Sequence, residues 1–132
     1  MAVFVDTGAW FAYFVRRDPD HAAATAWVRQ NRQPLVTTDY VIDELLTLTK
    51  IRESYRVAVA AGEALLQQNV ARIERITETD FSAAWDIFRR YRDKGWSFTD
   101  CTSRAIMERL EITLAFAFDS HFEEFGTIVR VP

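Results

Sequence analysis

Four carboxylates, Asp6, Glu44, Asp100 and Asp119, are set apart from the other acids of the chain by their neighbours. Asp6 and Asp119 each end an unbroken apolar run, Val3-Phe4-Val5 and Leu114 to Phe118. Glu44 shares a helical repeat with Tyr40, Leu48 and Ile51, so a charge falls within an otherwise apolar stripe expected to pack on a sheet. An unpaired charge there is too costly to bury and calls for a cation or a buried Arg. Asp100 closes the segment Ser97-Phe98-Thr99-Asp100. If the four converge, an all-oxygen donor set selects Mg²⁺ or Mn²⁺ over Zn²⁺. Without a cation they would raise one another's pKa values. A metal so held can activate water and orient a phosphate, which suits phosphodiester hydrolysis.

Asp6, Asp119 and Asp100 also have local explanations; Glu44 has none. Aspartate at a strand end is a good helix N-cap. Ser120 with Glu123 supplies its own S-x-x-E box, which should free Asp119 to face a cleft. Asp100 lies in a first helical turn, where negative charge is favourable. Asp43 shares a face with Asp39, Thr47 and Lys50 and reads as solvated surface.

The elements that must position these groups follow from periodicity. Val3 to Val5, Pro34 to Thr37, Ala71 to Ile76, Leu114 to Phe118 and Ile128 to Val131 read as strands. Helices are expected at about Ala9 to Val15, His21 to Gln30, Thr38 to Arg52, Ser54 to Gln68, Glu78 to Arg92 and Ser97 to Leu110. A short helix from Ser120 to Phe125 is closed by Gly126. Strands alternating with helices predict an α/β fold with a small, mostly parallel central sheet and helices on both faces. Ligands of such sheets bind beyond the carboxyl ends of the strands, where Asp6 and Asp119 fall.

The 132 residues suit a single domain, 1–132, with an ordinary globular balance of 49% hydrophobic and 27% charged residues. One cysteine, Cys101, can form neither an intramolecular disulfide nor a thiolate cage, and it favours a reducing, cytoplasmic compartment. No basic n-region precedes the first apolar run, and no run is long enough to span a membrane. The net charge of −3 does not exclude a phosphate-rich substrate, because four acids held on a cation would leave the remainder slightly basic.

These residues, in this order, resemble the PIN-domain nucleases, and most closely the VapC-type ribonuclease toxins of prokaryotic toxin–antitoxin pairs. The likeness rests on Asp6-Thr7 after the first strand, Glu44 in Asp-Tyr-Val-Ile-Asp-Glu-Leu-Leu, Asp100 in Ser-Phe-Thr-Asp and Asp119 in Phe-Asp-Ser-His-Phe. It spans essentially the whole chain. The resemblance implies a three-layer α/β/α domain and an endoribonuclease dependent on Mg²⁺, with Mn²⁺ as a substitute, leaving 5′-phosphate and 3′-hydroxyl ends. Asp6 and Asp100 would be the principal metal ligands, with Glu44 and Asp119 completing the site. It also implies an RNA substrate, a homodimer and a cognate VapB-like antitoxin whose C-terminal segment covers the acidic cleft. Gly8, Trp10 and Cys101 depart from the residues usual at their positions without touching the carboxylates.

Other residues are given smaller parts. His121 reads as a surface residue of the short helix and His21 as solvated. Thr7, Ser97 and Thr99 could hydrogen-bond the acids or merely cap helices. Cys101 reads as packing, and Trp10, Phe11, Tyr13 and Phe14 as core or dimer surface. The basic stretches Arg89 to Lys94 and Arg16, Arg17, Lys50, Arg52 and Arg56 are chiefly solvated helix faces. Two rival functions stay open. One is a phosphomonoesterase with Asp6 as nucleophile, which expects a second acid where Gly8 stands. The other is a non-catalytic RNA-binding or protein-interaction module on the same fold.

Overall fold

Val3–Val5, buried at every position, forms β1 at the centre of a five-stranded sheet in the computed structural model, which describes residues 1–67, 70–126 and 128–132. The strand order is β3-β2-β1-β4-β5, and every pairing is parallel. β2 is Leu35–Thr38, β3 is Arg72–Glu74, β4 is Leu114–Phe116 and β5 is Val129–Val131. The inner strands are short, almost wholly buried runs, Val-Phe-Val, Leu-Val-Thr-Thr and Leu-Ala-Phe, as expected of strands covered on both faces. The two edge strands carry Arg72 and Arg130 and are half exposed, which discourages further strand pairing.

Six α-helices cover the sheet, giving a three-layer α/β/α domain: α1 (Thr7–Phe14), α2 (His21–Gln30), α3 (Asp39–Arg52), α4 (Tyr55–Gln67), α5 (Glu78–Arg90) and α6 (Phe98–Arg109). A 3₁₀ helix, Ser120–Phe125, follows β4 and stops at Gly126, whose φ of 88° only glycine adopts without strain. Phe4, Trp10, Phe116 and Phe122 are wholly buried. Burial of a side chain such as Phe4 contributes about 2–3 kcal/mol. The Trp10 indole N–H donates to Thr37 Oγ1 at 3.2 Å, so its polar edge is satisfied inside the core.

The expected elements are present, and the expected ends differ by up to two residues. The third strand is three residues, because Ile76 N–H leaves the ladder and donates to Asp39 Oδ1. Asp39, expected at the surface, is thus a half-buried tie between α3 and the loop after β3. Gln68, the expected end of α4, lies outside the described residues. His21 is not free in solvent, since its Nδ1 lies 2.8 Å from the Ala12 carbonyl oxygen.

One periodicity argument fails. The buried face of α3 is Val41, Ile42, Leu45 and Thr49, not the repeat through Tyr40, Glu44, Leu48 and Ile51. Ile51 is 76% exposed. Apolar residues occupy two faces of α3, and spacing alone does not say which one the sheet takes. Glu44 is half-buried, so its interest comes from what it faces.

Candidate metal centre

The centre lies where the strand order reverses, beyond the carboxyl ends of β1 and β4, the usual ligand crevice of such sheets. The Asp6 N–H donates to the Phe116 carbonyl at 3.0 Å, tying the two strand ends together. Asp6 occupies the N-cap position of α1, yet its side chain accepts no capping hydrogen bond. It is 6% exposed. Burial, with the charges of Asp100, Glu44 and Asp119, pushes its pKa from 3.8 to about 7, against a smaller lowering by the Thr7 amide. A buried carboxylate surrounded by three other acids is a site deficient in positive charge.

Thr38 caps α3 by accepting from the Val41 N–H at 3.0 Å, and Glu44, six residues on, lies close enough for its charge to raise the Asp6 pKa. Asp100 is fixed by a capping box. The Ser97 N–H donates to Asp100 Oδ2 and the Asp100 N–H to Ser97 Oγ, both at 3.0 Å. Burial nonetheless raises the Asp100 pKa, overcoming the lowering by the Ser97 amide and by His121. Asp119 was expected to leave capping to Ser120, but it is itself the N-cap of the 3₁₀ helix, accepting from the His121 N–H at 2.8 Å. An aspartate oxygen reaches the second amide beyond it more readily than the Ser120 box could form in so short a helix. The side chain that caps the 3₁₀ helix is therefore also one whose charge reaches Asp6 and Asp100.

His121 is the residue that sequence reasoning undervalued. Its Nδ1 lies 3.3 Å from Asp100 Oδ2 and 3.4 Å from Asp119 Oδ1, with the ring 30% exposed. The signal was present in the Asp-x-His spacing, because the amide that Asp119 caps is that of His121. Gly95 is the other side of this contact. A Cβ built there would stand 3.4 Å from His121 Nε2. Of the three hydroxyls, that of Ser97 serves as a cap, accepting from the Asp100 amide, while the Ser97 amide donates to the carboxylate. The Thr7 hydroxyl is buried beside Asp6 without a hydrogen-bond partner among the described residues. The Thr99 carbonyl accepts from Thr102 and Ser103 within α6. A Cβ at Gly8 would lie 3.7 Å from Asp6 Oδ2, so position 8 borders the carboxylate. Cys101 is wholly buried with its thiol pushed up to about 11 by burial and Asp100, which leaves it an inert packing residue.

Among the described residues, no three carboxylate, imidazole or thiol groups stand close enough together to ligate an ion as placed. The donor set still fits a hard divalent cation. The donors are oxygens, Asp6 has no capping partner, the adjacent Thr7 hydroxyl is unpartnered, and like charges converge. Mutual repulsion keeps such carboxylates apart until a cation draws them in.

Residues 3–128 match the family model of the PIN domain. Over 130 residues, 98% of each chain, the sequence is 33% identical to the 23S rRNA-specific endonuclease VapC20 of Mycobacterium tuberculosis. It is 29% identical to a VapC ribonuclease of Archaeoglobus fulgidus, covering 92% of this chain and 80% of the relative. The crystal structure of Mycobacterium tuberculosis VapC20, described as a Sarcin-Ricin loop cleaving toxin, superposes with a TM-score of 0.90 at 32% identity, covering 96% of each chain. VapBC2 from Rickettsia felis, solved bound to a DNA fragment, shares the fold at a TM-score of 0.70 and 8% identity, covering 99% of this chain and 98% of that one.

Proposed function

Because the chain belongs to the PIN-domain family, and within it to the VapC-type ribonucleases, we propose that it is a Mg²⁺-dependent endoribonuclease toxin in which Asp6, Glu44, Asp100 and Asp119 form the catalytic metal centre. The observation that carries this reading is Asp6, a buried carboxylate without a capping bond whose pKa is raised by the other three acids.

Asp6 and Asp100 would hold the ion, with Glu44 and Asp119 closing the set from α3 and from the 3₁₀ helix. When bound, Mg²⁺, or Mn²⁺ in its place, supplies a Lewis acid beside the scissile phosphate and compensates the charge that develops there. The protein's part is positional. β1 and β4 fix Asp6, the capping box presents Asp100 to the same crevice, and the His121 amide orients Asp119. Raised pKa values on Asp6 and Asp100 make cation binding release protons, so affinity rises with pH.

In this reading RNA is the substrate, the working form is a homodimer in the cytoplasm, and a VapB-like antitoxin silences the enzyme by covering the acidic crevice. The chain acts as one domain, 1–132. Purified protein incubated with RNA and Mg²⁺ or Mn²⁺ should cut it, and EDTA should abolish cutting. Asp6→Asn and Asp100→Asn proteins should be inactive while still folded. Undiminished cleavage by either, or cleavage in EDTA, overturns the metal mechanism. RNA binding without any cleavage by wild type would instead favour the non-catalytic module.

A further inference from the structure

An aromatic ridge runs out of the acidic crevice along α5, and no described residue of the chain covers its outer side. Sequence periodicity places Phe81, Trp85 and Phe88 on one helical face, which should be the buried one. The buried positions of α5 are instead Asp80 and Ala84. Phe81, Trp85 and Phe88 are 46%, 49% and 43% exposed. Soluble chains rarely leave three large aromatics uncovered together without a use for them.

The ridge is joined to the metal centre ring by ring. Tyr40, one turn before Glu44 on α3, has its centroid 6.4 Å from that of Phe98 and 6.5 Å from that of Phe81. Phe98, two residues before Asp100, lies 5.1 Å from Phe81 and 5.8 Å from Phe88. Trp85 continues from Phe88 at 6.1 Å. Most of these contacts are edge-on or tilted, which leaves ring faces open rather than stacked on one another. At the outer end cations outnumber anions, Arg89 being paired with Asp86 at 3.0 Å and Asp93 lying between Arg92 and Lys94. The Arg89 guanidinium sits 6.0 Å from the Trp85 ring, and Arg90, Arg92 and Lys94 are exposed just beyond. Open aromatic faces beside cations, leading to a phosphate-cleaving centre, are the chemistry of a surface that stacks unpaired bases and tracks their phosphates.

We infer that the ridge Phe98–Phe81–Phe88–Trp85 is a stacking platform for unpaired nucleotides flanking the scissile phosphate, so that single-stranded RNA is held by its bases as well as its backbone. This rests on the ribonuclease reading for its substrate but not for its binding test.

The test uses Asp6→Asn protein, which should retain the fold and not consume its ligand. Binding is measured for a single-stranded RNA oligonucleotide, the same sequence as a duplex, and an abasic strand of equal length. The single strand should bind about ten- to a hundredfold tighter than the abasic strand, and Trp85 fluorescence should be quenched on binding. Adding Phe81→Ala and Trp85→Ala should erase that advantage with no change in the abasic affinity, while Trp85→Phe restores most of it. These side chains are half exposed, so a thermal melt should show the variants folded.

Equal affinity for the base-bearing and abasic strands overturns the platform. So does a result in which the alanine variants bind RNA normally but turn a dimer into a monomer on sedimentation, which would make the ridge a protein interface. Wild-type cleavage is scored separately. Cutting that is unaffected by Phe81→Ala and Trp85→Ala removes the platform and leaves the ribonuclease reading standing. Ridge-dependent binding without wild-type cutting does the reverse.

Discussion

Helices α5 and α6 begin with the same device and put it to opposite ends. Each opens with a capping box, Thr77 with Asp80 and Ser97 with Asp100, and in each the hydroxyl and the carboxylate exchange hydrogen bonds with the other's amide. Beyond the box the two aspartates part. Asp80 receives a two-pronged bond from Arg109, at 2.8 and 3.0 Å, and these bonds with the Thr77 amide hold its pKa below the usual carboxylate value despite burial. Asp100 has no arginine partner among the described residues; burial, with the charge of Asp119, raises its pKa against the lowering by the Ser97 amide and His121. One acid is fully compensated within the chain and the other is left wanting a cation. That contrast separates a structural carboxylate from a candidate ligand better than either motif does.

The sharpest way to break the comparison is to neutralise each acid and measure cleavage. Asp100→Asn or Asp6→Asn should lower RNA cleavage on the order of a thousandfold, the worth of several kcal/mol of lost charge stabilisation. Asp80→Asn, measured well below its melting temperature, should cut within about twofold of wild type. If the Asp80 variant were the dead one, the assignment of roles would be reversed.

Stability should show the opposite ranking. Asp80→Ala removes the partner of a buried charge pair and should cost about 3 kcal/mol, the low end for such pairs because Arg109 reaches water. For a chain of this size that lowers the melting temperature by roughly 10 °C. Asp100→Asn keeps an oxygen for the Ser97 amide while removing repulsion, so the metal-free melting temperature should hold or rise. A larger loss for Asp100→Asn than for Asp80→Ala would mean that Asp100 is held for structure.

Both boxes were equally legible as sequence, which is why sequence alone left Asp100 with a sufficient local explanation. Arg109 lies 29 positions from Asp80, and no spacing rule pairs them. The fold itself was legible because apolar runs ending in Asp6 and Asp119 are local signals for buried parallel strands. The face of α3 was not, since Tyr40, Leu48 and Ile51 are as apolar as the residues the sheet buries. His121 and the exposed face of α5 were missed for a related reason. Both depend on which groups the fold brings opposite them, His121 facing Asp100 and Phe81 facing Tyr40 and Phe98.

The pH dependence of the metal-free protein should carry both signs. Asp6 has a folded pKa of about 7 against about 3.9 unfolded. Between those values the folded state binds the extra proton, so stability falls as pH rises, by about 2 kcal/mol from pH 5 to 7. Asp80, whose folded pKa is lowered, stabilises above its unfolded value, and that contribution is lost only as pH drops through the folded one. Melting curves from pH 5 to 8 without metal should therefore slope downward for wild type and flatten for Asp6→Asn, and excess Mg²⁺ should flatten the wild-type curve too. A wild-type slope unchanged by Asp6→Asn would remove Asp6 as its source.

The smallest effect is also the closest comparison, between the two capping hydroxyls. Thr77→Ala and Ser97→Ala each remove the side chain that accepts from the third amide of a helix, a loss of about 1 kcal/mol. Their melting temperatures should fall together by a few degrees. Their cleavage rates should not. Without Ser97 Oγ the first turn of α6 loosens, and with it the Ser97 amide that holds Asp100 Oδ2 at 3.0 Å. Ser97→Ala should therefore lose several-fold in cleavage and need more Mg²⁺ for half-maximal rate. Thr77→Ala should match wild type in both, because the carboxylate it helps to place is paired with Arg109 and faces no other acid of the crevice. Equal Mg²⁺ requirements for the two variants would show that the α6 box caps a helix and does not position a ligand.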